Sequence, residues 1–413
     1  MRQRSLLKLG VPLLAGALAL TACGSRSDDE GSDSGGGGEA TKVAKIGVIA
    51  PLSGELSALG LGIRNSVDLA IQQANEDGAV EGWTFELAAE DDQATPATGQ
   101  AAATKLASDP EVIGVVGTLN SSVAQTVQPV LDAESVLMVS PANTNPSLTQ
   151  GEDWVNTKSR LYPSYYRTAT TDAVQGPFAA DYLYTTAGIQ SVAIIHDKKT
   201  YGQGLQATFA EQFQKLGGTV LATETINPGD KDFAAVISKV APLNPQAVYY
   251  GGEYPEASLL TAQMKAAGVN VPLMGGDGIY SGVYIENAAA AAEGDLATSV
   301  GAPTEELESA QSFVTDYDAA GFSEPYEAYG AYSYDAAQTI IEAAKIALAD
   351  ADEVNEEVRT AMVEAAAEVE FEGVTGTVSF DEYGDTTNKT LTVYKVEGGE
   401  WAPVETGEFE ETA

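Results

Sequence analysis

Apolar and polar positions follow two rhythms along most of this chain: short apolar runs, then stretches with apolar residues every three or four positions. Residues 46–50 form a run that suits a buried strand, and residues 65–75 place Val67, Ala70, Ile71 and Ala74 at helical spacing. The pair repeats as strand 85–89 with helix 97–107 and strand 112–116 with helix 123–131, followed by strand 136–139. Such alternation predicts a mostly parallel sheet covered by helices on both faces.

After Tyr166 the rhythm restarts. Strands at 192–195, 220–226, 247–250 and 271–274 alternate with helices at 204–216, 233–240 and 257–267, so a second lobe is expected, with a cleft between the two. Late helices at 334–348 and 356–367 and strands at 377–380 and 391–396 are too few for a third domain. They are expected to return and complete the two lobes, so that the chain crosses between them more than once.

The first residues follow another pattern. Arg2, Arg4 and Lys8 precede an apolar stretch over 9–20 and then Leu20-Thr21-Ala22-Cys23, the build of a secretory signal peptide over 1–22. The stretch is short for a spanning helix, which needs about 20 apolar residues. Its end resembles the lipobox of bacterial lipoproteins, which implies that Cys23 becomes the first mature residue and carries a lipid; an ordinary secreted protein is the alternative. Residues 23–42 form an acidic, Gly/Ser-rich linker containing Gly35 to Gly38 in a row, with little to bury. A tether of that kind reaches roughly 20–25 Å.

Composition narrows the chemistry. Cys23 is the only cysteine in 413 residues, which excludes disulfides within the chain and leaves no other thiol for catalysis. The formal charge of −39, or −42 without the three cations of the leader, repels phosphate backbones and argues against nucleic acid. A solvated acidic surface explains it better than cation binding: no D-x-[DN]-x-[DN]-G loop is present, and residues 381–385 read as a plain turn. The single histidine, His196, ends a buried strand and reads as structural. There is no G-x-S-x-G elbow and no phosphate-binding loop, and Gly60 and Gly62 lack the third glycine of a dinucleotide fingerprint.

Binding is better supported than catalysis. Open α/β sheets hold ligands beyond the carboxyl ends of their strands. After strand 112–116 comes Gly117-Thr118-Leu119-Asn120-Ser121-Ser122 and then a helix, gathering backbone N–H groups and hydroxyls as at an anion site, with Ser121 also suited to cap the helix. A second cluster, Ser140-Pro141-Ala142-Asn143-Thr144-Asn145-Pro146, follows the next strand.

These motifs, together with residues 45–54, Asp91-Asp92, His196-Asp197-Lys198 with Tyr201-Gly202, Lys231-Asp232-Phe233 and Tyr249-Tyr250-Gly251-Gly252, resemble the leucine/isoleucine/valine-binding proteins of ABC importers. The likeness runs in order from about residue 45 to about 401. It implies an α/β chain of the type I periplasmic-binding-protein fold, two Rossmann-like lobes joined by three crossovers, with lobe 1 at 43–171 plus 302–388 and lobe 2 at 172–301 plus 389–409. It also implies roles. Ser121 and Thr144, with the Ala142 carbonyl and their neighbours Asn120, Ser122 and Asn143, would hold an amino acid's carboxylate and ammonium. Asp277 would pair with the ammonium from the second lobe, Tyr201 would close over the ligand, and Tyr329 and Leu59 would line the side-chain pocket.

Glu253 departs from the pattern, because a tyrosine is expected immediately after Tyr-Tyr-Gly-Gly. A buried carboxylate without a partner is costly. Glu253 therefore either turns to solvent, with Tyr254 in the tyrosine's place, or meets a donor from the protein or the ligand. The resemblance implies no cofactor, metal or enzymatic activity, and a monomer whose partners are an amino acid, an ABC permease with its ATPase, and the membrane through the lipid alone. A same-fold receptor for an amide, urea or other small organic ligand, a sensory receptor, and an enzyme acting on a cleft ligand are the alternatives.

Overall fold

The computed structural model of the chain describes residues 41–409. The leader, Cys23 and residues 24–40 lie outside the described residues, and the first strand begins at Lys42, inside the stretch assigned to the linker. Among the described residues no helix is long and apolar enough to cross a membrane.

The first lobe is built on β1 (Lys42–Ala50), β2 (Trp83–Asp91), β3 (Val112–Gly117), β4 (Leu137–Ser140) and β5 (Tyr165–Arg167), all parallel in the order β2-β1-β3-β4-β5. Helices Ser57–Glu76, Gly330–Ala347 and Glu356–Ala366 pack on one face, and Pro96–Ser108 and Ser121–Ala133 on the other. Burial on both faces explains why β3 reads Val-Ile-Gly-Val-Val-Gly with no polar position.

The second lobe begins with β6 (Ser191–His196), β7 (Thr219–Thr225), β8 (Ala247–Gly251), β9 (Leu273–Gly275) and β10 (Leu296–Ser299). A separate hairpin of β11 (Phe371–Gly373) and β12 (Gly376–Val378) follows, then β13 (Thr390–Glu397) and β14 (Glu400–Glu408) complete the sheet in the order β14-β13-β10-β9-β8-β6-β7. Only β13 and β14 run antiparallel to their neighbours. The chain passes between the two main sheets after β5, after β10 and before β13, giving three crossovers.

The strand expected at 377–380 is instead one arm of the β11–β12 hairpin. Buried Asp335 pins it, accepting from the Val374 and Thr375 amides at 2.8 and 2.9 Å and from the Thr375 hydroxyl at 2.6 Å. Helix Asp172–Asp181 was not legible because Gly176 and Pro177 lie inside it, and β5 because it has three residues.

One buried ion pair organises the first lobe. Arg167, at the end of β5 and fully buried, donates through Nε to Asp385 at 2.5 Å and through Nη1 to the carbonyls of Asn143 and Asn145, each at 2.9 Å. Its Nη2 reaches the Thr149 hydroxyl, and Gln150 Nε2 donates to the second Asp385 oxygen at 2.7 Å. Asp385 is thus more than a turn residue. The loop after β4 hangs on one guanidinium fork, which a single ammonium does not reproduce. Arg167→Met is expected to cost about 3–5 kcal/mol, since it strands a buried carboxylate, and Arg167→Lys to recover little of it. Urea denaturation measures both; a wild-type midpoint for Arg167→Lys would show that charge alone holds the loop.

Candidate functional site

The carboxyl ends of six strands converge on one cleft. From the first lobe, the segment after β1 brings Leu59 on the first turn of its helix, the segment after β3 brings Leu119, Asn120 and Ser121, and the loop after β4 brings Ala142. From the second, the segments after β6, β8 and β9 bring Tyr201, Glu253, and Asp277 with Gly278. Tyr329, just before helix Gly330–Ala347, closes the ring. The space between them is about 10 Å³, room for one water. Anything larger than a water that enters it must part the lobes.

Asp277 is the polar centre. It is 1% exposed and accepts from Tyr201 Oη at 2.8 Å, Tyr329 Oη at 2.8 Å and Gln175 Nε2 at 3.0 Å, while its own amide donates to Gln175 Oε1 at 2.9 Å. Burial raises its pKa above the usual carboxylate value although the three donors oppose that. Asp172, fully buried nearby, is raised well above the usual value by burial and then by repulsion from Asp277. Tyr201 reaches Asp277 because its helix starts in backbone contact with β8: a Cβ on Gly251 would lie 2.3 Å from the Gly202 carbonyl oxygen.

On the opposite wall, Ser121 is the first residue of its helix and Asn120 occupies the cap position, so the expected capping by Ser121 is corrected. Asn120 makes no side-chain cap, and its carbonyl accepts the Val123 and Ala124 amides at 3.0 and 3.1 Å. That leaves the Ser121 and Ser122 amides of the first turn open for an anion. The second cluster divides. The Ser140 hydroxyl accepts the Ala142 and Asn143 amides and donates to the Thr118 carbonyl, and the Asn143 side chain ties Leu119 to Tyr165. Asn143 therefore shapes the loop without lining the cleft. Thr144 is buried behind it with its hydroxyl beside Asp172, and Ser122 also lies off the lining.

Glu253 is 4% exposed and meets donors within the protein. Its Oε1 accepts Asn120 Nδ2 from across the cleft at 2.8 Å, and its Oε2 pairs with Lys199 Nζ, which also stands 3.4 Å from Asp197. With its amide nitrogen turned to Glu253, Asn120 points its Oδ1 away. That oxygen is buried with no partner among the described residues. Burial and then Glu253 raise Asp197 to about 8; burial opposes the Lys199 ammonium, but Glu253 and Asp197 outweigh it and raise its pKa.

Gln175, Asp172, Lys199 and Leu119 were missed in sequence. Thr171-Asp172 opening a helix was a usable signal for the first two; Lys199 sits beside motif residues without a pattern of its own. His196 accepts the Lys198 amide at 3.2 Å at the end of β6, away from the cleft lining.

An acid whose folded pKa is raised holds more protons in the native than in the unfolded state, so its contribution falls as pH rises toward the folded value. Lys199→Met removes the cation that restrains Asp197 and neutralises Glu253. Its loss of melting temperature is expected to be greater at pH 8.5 than at pH 5.5, where Asp197 stays protonated. An equal loss at both values would refute the coupling.

Residues 43–400 match the family model of the periplasmic binding proteins. The Leu/Ile/Val-binding protein homolog 2 of Brucella abortus is 35% identical over 90% of this chain and 94% of its own length. Among solved structures, the leucine-binding protein LivK of Thermotoga maritima superposes with a TM-score of 0.78 at 28% identity, covering 88% of this chain and 98% of its own. The branched-chain amino acid transporter substrate-binding protein LivJ of Streptococcus pneumoniae, in complex with isoleucine, gives 0.78 at 26% identity, covering 89% and 100%. The two lobes and three crossovers expected from the sequence are those of the type I fold. The chain belongs to the periplasmic binding protein family, extracytoplasmic solute-binding proteins of ABC transporters, as a relative of its Leu/Ile/Val-binding members.

Proposed function

We propose that this protein captures an amino acid, of the branched-chain class, and delivers it to an ABC permease and its ATPase as a monomer tethered through lipidated Cys23, after removal of residues 1–22. The observation that carries the reading is the opposition, across one cleft, of an open helix start at Ser121 and a buried carboxylate at Asp277. A helix N-terminus favours the α-carboxylate, and Asp277 with the Ala142 carbonyl suits the α-ammonium. Leu59, Leu119 and Tyr329 supply apolar wall for a side chain. Thr144 acts from behind the loop, and Asn143 and Ser122 support it. The lobes, at 43–171 plus 302–388 and 172–301 plus 389–409, close on the ligand, and water exclusion strengthens both charged contacts. The ligand needs both charges to hold the closed state, since only differential affinity shifts the balance.

One observation favours a second reading, a same-fold receptor for a ligand carrying an amide or other donor: the unpartnered Asn120 Oδ1 and the Glu253 carboxylate both belong to residues lining the cleft. Calorimetric titration with leucine, isoleucine and valine against asparagine, glutamine and urea separates the two. Micromolar binding, about −8 kcal/mol, of the first three is expected. Preference for leucine that is unchanged in Glu253→Gln would remove ligand contact by Glu253.

Asp277→Asn is expected to weaken amino-acid binding about 10- to 100-fold, the loss of a charged hydrogen bond worth about 1.5–3 kcal/mol; unchanged affinity would sink the ammonium assignment. The raised carboxyl gives a second check. An ammonium favours ionised Asp277, so binding releases a proton and affinity rises with pH through the titration of the free site. Titrations in buffers of different ionisation heat measure this directly; proton uptake would contradict it.

A further inference from the structure

A second cavity, of about 270 Å³, lies beside the crossover that follows β10. It shares two segments with the amino-acid cleft, since Tyr280 follows Asp277 by three residues and Tyr332 follows Tyr329 by three. Its walls hold four aromatic side chains, Tyr280, Tyr332, Tyr394 and Trp401. Tyr280 stacks on Tyr394 with centroids 4.1 Å apart and stands at 60° to Trp401 at 5.8 Å. The indole is fixed by its N–H, which donates to the Ser281 carbonyl at 2.9 Å.

Two carboxylates, Glu305 and Glu327, face this aromatic wall, and no lysine, arginine or histidine lines the cavity. Neither carboxylate takes part in an ion pair among the described residues: Glu305 accepts Tyr326 Oη, and Glu327 is held by the Ser281 hydroxyl and the Gly282 amide. Glu327 is half-buried and has φ +54°, a left-handed conformation that residues other than glycine rarely adopt. A backbone in that region, fastened at the side chain by two donors from the other lobe, presets the carboxylate against the rings.

Carboxylates without a counter-charge call for a cation. Aromatic walls offer no oxygen shell to a bare metal ion and little to a strongly hydrated ammonium, whereas N-alkyl groups match both the ring faces and the charge. The chain's formal charge of −39 further concentrates cations around it. We propose that this cavity binds a small organic cation of the alkylammonium class, at a site distinct from the amino-acid cleft.

Tetramethylammonium chloride is the probe, titrated calorimetrically into the intact soluble chain with sodium chloride at equal ionic strength as the control. Saturable binding at one site is expected for tetramethylammonium and none for sodium. Glu327→Gln and Trp401→Leu are each expected to weaken it at least tenfold. Glu305→Gln, at an exposed position, should weaken it severalfold with no change in melting temperature, which guards against misfolding as the cause. Thermal melting checks the fold of every variant, so the result stands whether or not leucine binds. The proposal fails if wild-type protein of normal melting temperature shows no saturable binding. It also fails if all three variants bind as wild type does, or if an Asp277→Asn variant alone loses the probe, which would place it in the amino-acid cleft.

Discussion

Everything at the cleft depends on keeping one carboxylate buried and charged-competent between two lobes. Removing a carboxylate from water costs several kcal/mol unless its acceptor sites are filled. Asp277 has about four such sites, and Tyr201, Tyr329 and Gln175 fill three of them. The network closes on itself: Tyr201 Oη accepts the Gly278 amide, and Gln175 Oε1 accepts both the Asp277 amide and the Thr298 hydroxyl. Two of the three donors, Tyr201 and Gln175, are thereby fixed by a second bond. The remaining acceptor capacity is what the carboxylate can offer to a ligand, and its direction is set by the three donors already in place.

The two lobes are rigid for one reason and separable for another. Within each lobe, strands buried on both faces and ties such as Arg167–Asp385 and Asp295, which accepts from Lys265, Thr261, Tyr284 and the Leu273 amide, are shielded from water. Between the lobes run the buried Tyr329–Asp277 and Asn120–Glu253 bonds and, nearer the rim, Asn145 Nδ2 to the Thr200 carbonyl at 2.9 Å, Lys231 to Glu55, and the Tyr254 hydroxyl to the Glu55 carbonyl. Water can replace such hydrogen bonds at little net cost. Apolar packing joins the lobes as well, since one buried cluster runs from Ile46, Leu59 and Tyr329 to Tyr250, Tyr254 and Ile279.

What the sequence made legible follows from the same division. Strands buried on both faces declare themselves as apolar runs, and the ligand-facing loops follow from the rule that sites lie beyond strand ends, so Ser121, Ala142 and the cleft itself were readable. Gln175 was not, because its helix contains Gly176 and Pro177 and is buried on nearly all sides, leaving no amphipathic period. Asn143 and Ser140 carry the residue types of a ligand site yet spend their side chains on neighbouring backbone and, for Asn143, on the Tyr165 hydroxyl. Residue type and spacing place a polar group near a site; only the competing internal partners decide whether it stays free.

Glu253 shows that competition at its sharpest. Sequence left it between solvent, protein and ligand, and the fold resolves the first choice because Lys199 and Asn120 surround it while it stays buried. Its charge is matched from its own lobe and its second oxygen is used across the cleft, so it ties the two lobes together while lining the cleft. The consequence falls on Asn120. With its nitrogen committed to a carboxylate, its oxygen has no donor among the described residues, and a buried acceptor left unpaired costs about 1–3 kcal/mol. A polar penalty of that size, carried by a residue that lines the cleft, is large enough to weigh on which groups fit beside it.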